Sequence, residues 1–137
     1  QISMYQSSVP VFTRMLGNLI HILEKGEAYG QERGIGDDVL LNARLFPDMF
    51  PLSRQVQIAC DIPKRGAARL AGREPPETPD TETSFEALID RVRGTDRLAA
   101  APVDEIDEAV PAAHAMLAQG RVAGRSFALI ALMQLSW

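Results

Sequence analysis

At 137 residues, 46% of them hydrophobic, the chain is expected to form one domain over residues 1–137, with a single core. A domain of this size buries about two-thirds of the surface its unfolded chain exposes. The 14 Lys and Arg are interleaved with 18 Asp and Glu for a net charge of −4, so no basic stripe points to nucleic acid or a membrane surface as a partner. One cysteine excludes an intrachain disulfide framework and fits a reducing compartment, the cytoplasm by expectation.

The chain opens QISMYQ, without the charged and apolar regions of a secretory signal. The longest apolar run, FALIALM at 127–133, is far shorter than the roughly 20 residues that span a bilayer, so no transmembrane helix is expected.

Over residues 5–29, Tyr5, Val9, Phe12, Leu16, Leu19, Ile20 and Leu23 recur in steps of three and four, which places them on one stripe of a helix. Ser7 or Ser8 is the candidate N-cap, with Pro10 in the first turn. The glycines of YGQERGIGDD end this helix. A short helical piece, DDVLLNARL, follows with Asp37 or Asp38 as its cap. LFPDMFPLSRQ then reads as the entrance to the next helix, with Asp48 as N-cap and Pro51 in the first turn. That helix carries Leu52, Val56, Ala59, Cys60, Pro63, Ala67 and Leu70 at helical spacing, and Pro63 predicts a kink or a break inside it.

GREPPETPDT is a loop. Thr83 and Glu86 form a capping-box pattern ahead of a helix with Phe85, Leu88, Ile89 and Val92 on one face, expected to end near Ala101 because Pro102 follows. From Asp107 the chain is rich in Ala, Gly and Arg, with a short helical pattern from Pro111 to Gln119. SFALIALMQLSW is apolar on nearly every face, as in a helix surrounded by protein or an interface segment. No useful β alternation appears, so the fold class is all-α.

The chemistry-bearing residues are sparse. His21 lies opposite the apolar stripe of its helix, in the company of Arg14, Asn18 and Lys25, and reads as a surface histidine rather than a metal ligand. His114 has no second histidine within a turn, and a metal site needs three or four converging ligands. Cys60 sits at the edge of a core face beside Asp61, which disfavours a thiolate, so it reads as a packed small side chain. No nucleophile elbow, phosphate-binding loop or dinucleotide fingerprint is present, and GIGDDVL puts carboxylates where a phosphate would bind. Asn42, Arg44, Asp48, Arg54 and Gln55 crowd the helix entrance together with Ser53. One reading makes this a ligand mouth at the end of a bundle, with Met49 and Phe50 as its apolar wall. The other makes it a set of caps and an Arg–Asp pair holding the connection between helices.

The segments ISMYQSSVPVF, LLNARLFPDMFPLSRQVQIACD, AARLAG and DTETSFEALIDR resemble an uncharacterised bacterial domain-of-unknown-function family of the DinB-like (DinB/YfiT) four-helix-bundle superfamily, in register over residues 2–106. The resemblance implies an up-down-down-up bundle, a cytoplasmic homodimer and no settled activity or cofactor. The wider superfamily includes metal-dependent transferases that use thiols such as mycothiol or bacillithiol, with the metal on three histidines from the second and fourth helices. Here the second bundle helix offers no histidine, and the chain after Ile106 departs from the pattern, so the fourth helix is expected to be short or atypical. An altered reading frame would leave such a departure. The expected function is a non-enzymatic or small-ligand-binding dimer, and the alternative is a metal-dependent, thiol-using transferase.

Overall fold

The structure, a computed structural model, describes residues 3–99. Four helices occur in this span: α1 (Met4–Arg33), α2 (Asp37–Leu41), α3 (Leu52–Leu70) and α4 (Phe85–Ala99). Among the described residues none of these helices is long and apolar enough to cross a membrane. The expected fourth bundle helix, His114 and the apolar end at 127–133 lie outside the described residues.

Helix α1 starts earlier than the serine pair predicts. Ser3 is the N-cap: its Oγ accepts the Gln6 N–H at 3.1 Å, and Gln6 Oε1 accepts the Ser3 N–H at 3.1 Å, a reciprocal capping box. Ser7 and Ser8 lie inside the helix, where both hydroxyls donate to the Met4 carbonyl, at 3.0 and 2.7 Å. Pro10 therefore falls beyond the first turn. It deprives the Gln6 carbonyl of its helical donor, and Gln6 is exposed, so water can take that place. At the other end Gly34 adopts φ 65°, and the Ile35 N–H reaches back to the Gly30 carbonyl at 2.8 Å. This αL ending needs a residue without Cβ strain.

Helix α3 runs unbroken through Pro63, so of the expected kink or break the break does not occur. The carbonyl that loses its donor belongs to Ala59, which is exposed, while Pro63 itself is buried. Solvation of one carbonyl and burial of the proline let the helix continue. Its N-cap is Pro51 with no side-chain cap, so Asp48 stands too early to cap it.

Pairs of contacting residues give the helix directions. Phe12 packs on Gly66, and both Gly26 with Phe85 and Glu24 with Arg93 meet across α1 and α4. α1 is thus antiparallel to both α3 and α4. Leu52 and Phe85, the first residues of α3 and α4, line one cavity, and Cys60 lies beside Thr95 further along both helices, so α3 and α4 run parallel, the down-down part of the expected bundle. The core lies where the three long helices face one another: Leu16 and Leu23, Val56 and Cys60, and Phe85, Leu88, Ile89 and Val92, with Leu41 from α2. Full burial of side chains such as Phe85, Leu23 and Leu88 contributes on the order of 1.5–3 kcal/mol each.

Parallel neighbours need a long return. α3 with its 19 residues spans about 28 Å at 1.5 Å per residue, and residues 71–84 run back along it as a strap. Polar side chains hold the strap down: Lys64 Nζ donates to Thr78 Oγ1 at 2.9 Å, Gln57 Nε2 to Glu82 Oε2 at 3.0 Å, and Arg54 pairs with Asp80. Loop composition therefore hides an ordered structural element.

Candidate functional site

The ends of α1, α2, α3 and α4 meet around a cavity of about 320 Å³. Its inner wall is Phe85, the first residue of α4, which is fully buried, with Leu40 of α2 and Leu52 of α3 beside it. Gly26 and Tyr29 contribute the α1 side, and Ala43, Arg44 and Leu45 form the rim on the connection after α2. Gly26 leaves room for this ring: a Cβ there would stand 3.1 Å from Phe85 Cε1 and 3.3 Å from Cζ, so the ring would have to move by a few tenths of an ångström. Asp37 fixes the same ring from the other side, because its Oδ2 accepts the Phe85 backbone N–H at 3.0 Å. α2 thus caps α4 through a tertiary contact, and Ser84, not Thr83, supplies the local cap by accepting the Ala87 N–H at 3.2 Å.

Of the residues singled out in the sequence, Arg44 lines this cavity. Its Nη1 donates to the Pro47 carbonyl at 3.3 Å, across the turn that it helps to close. Asn42 is the C-cap of α2, with Nδ2 donating to the Asp38 carbonyl at 2.8 Å. Asp48 is exposed in the turn closed by the Met49 N–H to Phe46 carbonyl bond, and Gln55 Nε2 ties the Phe50 carbonyl at 2.9 Å. Met49 is half-buried and Phe50 exposed, and neither is among the lining residues. Arg54 points to the strap, where Asp80 receives it, and also donates to Gln57 Oε1 one turn along α3 at 3.5 Å. The segment therefore splits: Arg44 goes to the cavity, and the remaining polar groups hold the backbone or the strap.

The cavity residues without a sequence signal are Tyr29, Leu40, Leu52 and Phe85. Each satisfies the apolar periodicity of its own helix, and only the meeting of helix ends makes them a wall.

A second polar cluster lies between α3, α4 and the strap. Arg91, with its side chain 3% exposed, donates to Glu82 Oε1 at 2.9 Å and to the Pro79 carbonyl at 3.0 Å, and contacts Asp80 at 2.9 Å and Asp61 at 3.3 Å. Lys64 reaches Asp61 at 3.0 Å. Partial burial pushes Asp61 and Glu82 up, but both are held below the ordinary carboxylate range. For Asp61 the Lys64 hydrogen bond and the charges of Lys64, Arg91 and Arg65 prevail, and for Glu82 the hydrogen bonds from Arg91, its own backbone and Gln57 do. Arg91 is raised, the Glu82 hydrogen bond and the surrounding carboxylates outweighing its burial. Every charge here faces an opposite one, which makes the cluster a clamp for the strap.

Cys60 is buried, and that burial raises its thiol above the ordinary value in spite of Thr95 and Arg91 nearby. The three-histidine metal set that the resemblance implies does not fit the described residues. α3 presents Cys60, a protonated thiol, and Asp61, already engaged by Lys64 and Arg91, while His21 is exposed on α1 with Glu24 at 3.9 Å. Among the described residues no group of three or more His, Cys, Asp or Glu could hold a metal ion.

A family model described as a domain of unknown function (DUF1993) matches residues 4–128, so the match continues beyond Ile106. The crystal structure of a DinB family member protein from Shewanella denitrificans is similar to this chain with a TM-score of 0.70 and 39% identity, over 75% of this chain and 60% of that one. The chain thus spans about 60% of the length of that relative. No curated protein matches. With the family match over most of its length and the helical bundle in common with a DinB family member, the chain belongs to the DUF1993 family of DinB-like proteins, a domain of unknown function.

Proposed function

We propose that the protein is a non-enzymatic, small-ligand-binding helical bundle of one domain, with its site in the cavity at the α2 end. The observation that carries this reading is the cavity itself: about 320 Å³, walled by Leu40, Leu52 and Phe85 and rimmed by Tyr29 and Arg44. Binding sites for small molecules are concave, mostly apolar and furnished with a few polar groups at the edge, with volumes from roughly 300 Å³ upward. Ala43 is exposed at the rim, so Ala43→Phe fills the mouth without entering the core. A screen of small apolar compounds by nuclear magnetic resonance tests the reading. Shifts should cluster on Gly26, Leu40, Leu52 and Phe85 and vanish in the filled variant; a screen without such shifts counts against it.

A homodimer is the second part of this reading, supported by Leu45, Phe46, Phe50 and Val39, which are large apolar side chains exposed at the same end of the bundle. Sedimentation at micromolar concentration tests it, and a monodisperse monomer counts against it. A cytoplasmic location belongs to the same proposal, supported by a single cysteine, which fits a reducing compartment. A metal-dependent, thiol-using transferase draws on fold likeness alone, and the donor chemistry described above gives it no support.

A further inference from the structure

The cavity is apolar where Leu40, Leu52 and Phe85 line it and carries one charged lining residue, Arg44; Arg33 stacks on the ring of Tyr29, another lining residue, at 5.3 Å from its centre. Among the described residues no carboxylate forms an ion pair with either guanidinium; Asp37 of α2 is engaged with the Phe85 backbone N–H, and Asp38 and Asp48 are exposed to solvent. Arg44 has one hydrogen bond among the described residues, a long one of 3.3 Å to Pro47, while a guanidinium offers five N–H donors. A positive planar fork beside an apolar wall favours a carboxylate over a hydroxyl, since charge-assisted bidentate bonds are the stronger ones.

We propose, resting on the ligand-binding reading above, that the cavity takes a small amphipathic acid. Its apolar body would lie against Leu40, Leu52 and Phe85, and its carboxylate would accept hydrogen bonds from Arg44. The charge complementarity names the occupant: an alkyl or aryl carboxylate, neither a neutral nor a cationic compound. Arg44 is exposed in a connecting segment and its one hydrogen bond is the long one to Pro47, so it is available to ligand and its replacement opens no core.

Isothermal titration of the full chain with octanoate and with 1-octanol, which share a chain and differ in head charge, tests this. Octanoate is expected to bind saturably and at least about tenfold more tightly than octanol, in keeping with a charge-assisted hydrogen bond. Arg44→Gln should remove that difference while leaving octanol binding in place, and Ala43→Phe should abolish both. Unchanged helical circular dichroism and unfolding midpoints would show that the variants fold. Equal affinity for octanoate and octanol would overturn the anion assignment and leave the ligand-binding reading standing. Binding of neither would overturn both. Octanoate binding that survives both substitutions would put the anion elsewhere on the molecule and overturn the proposal.

Discussion

Asp37 of the short helix α2 caps a helix that begins 48 residues later: its Oδ2 accepts the backbone N–H of Phe85 at 3.0 Å. The same contact seats the Phe85 ring, so one carboxylate links the α1–α2 turn, the start of α4 and the wall of the cavity. Asp37→Ala is expected to cost about 1 kcal/mol, the usual scale for loss of a cap. Asp37→Asn keeps an oxygen acceptor and should cost less. Urea unfolding of the two variants separates these outcomes; equal losses would mean that charge, not the acceptor, carries the effect.

Arg91 is the residue on which the strap depends. Replacing it with Met keeps much of the volume but leaves Glu82 half-buried without its main countercharge and Asp61 with Lys64 as its close cation, which is expected to cost about 3 kcal/mol. The strap should loosen first, because the Arg91 bonds to Pro79, Asp80 and Glu82 all end on it. It carries Glu77 and Glu82, each followed by threonine, so a protease that cuts after glutamate reads out the loosening. Native protein should resist cleavage in 71–84, and Arg91→Met should be nicked there before it unfolds globally. Arg91→Lys should not restore resistance, because an ammonium cannot serve several acceptors in the plane of the guanidinium fork.

The same cluster sets an acid limit. Asp61 and Glu82 are both held below their ordinary values in the folded chain. Groups depressed by folding contribute stability that is fully present above their unfolded values, about 4 for each, and lost as the pH falls through the folded ones. Stability at constant salt should therefore be flat above about pH 5.5 on account of these two groups and fall as the pH drops below about 4.5. Asp61→Asn and Glu82→Gln should each lower stability at pH 7 and flatten the acid limb. An acid limb unchanged in both variants would assign it to other carboxylates.

The helix faces were legible from spacing, because Phe12, Leu16, Leu23, Val56, Cys60, Phe85, Leu88 and Val92 recur at the helical period and are the residues buried. The caps were not. Serines or threonines at 3, 7, 8, 83 and 84 all satisfy the local rule, and the backbone at Ser3 and Ser84 decides between them. Arg44 was legible as part of a polar cluster beside prolines, but the cavity wall was not, since Leu40, Leu52 and Phe85 belong to three different helices. Arg91 gave no signal at all. An arginine on a helix reads as solvated, and its burial depends on Asp80 and Glu82, which stand in a strap whose composition reads as open loop.

Two glycines of α1 should respond oppositely to the same substitution. Gly17 is exposed, and a Cβ there meets nothing within 4 Å, so Gly17→Ala should stabilise by up to about 1 kcal/mol through helix propensity alone. Gly30 is buried, and a Cβ there would lie 2.9 Å from Leu40 Cδ1 and 3.1 Å from the Ile35 carbonyl oxygen. That carbonyl cannot retreat easily, because the Ile35 N–H is held by the Gly30 carbonyl at 2.8 Å in the helix ending. Overpacking should outweigh the propensity gain and make Gly30→Ala a net loss of about 1 kcal/mol or more. Since Leu40 is a cavity wall, its displacement should also weaken octanoate binding, whereas Gly17→Ala should leave binding untouched. Thermal unfolding and titration of the two variants measure both effects. A stabilised Gly30→Ala with unaltered binding would show that Leu40 yields freely and that the close approach of α1 to α2 does not shape the site.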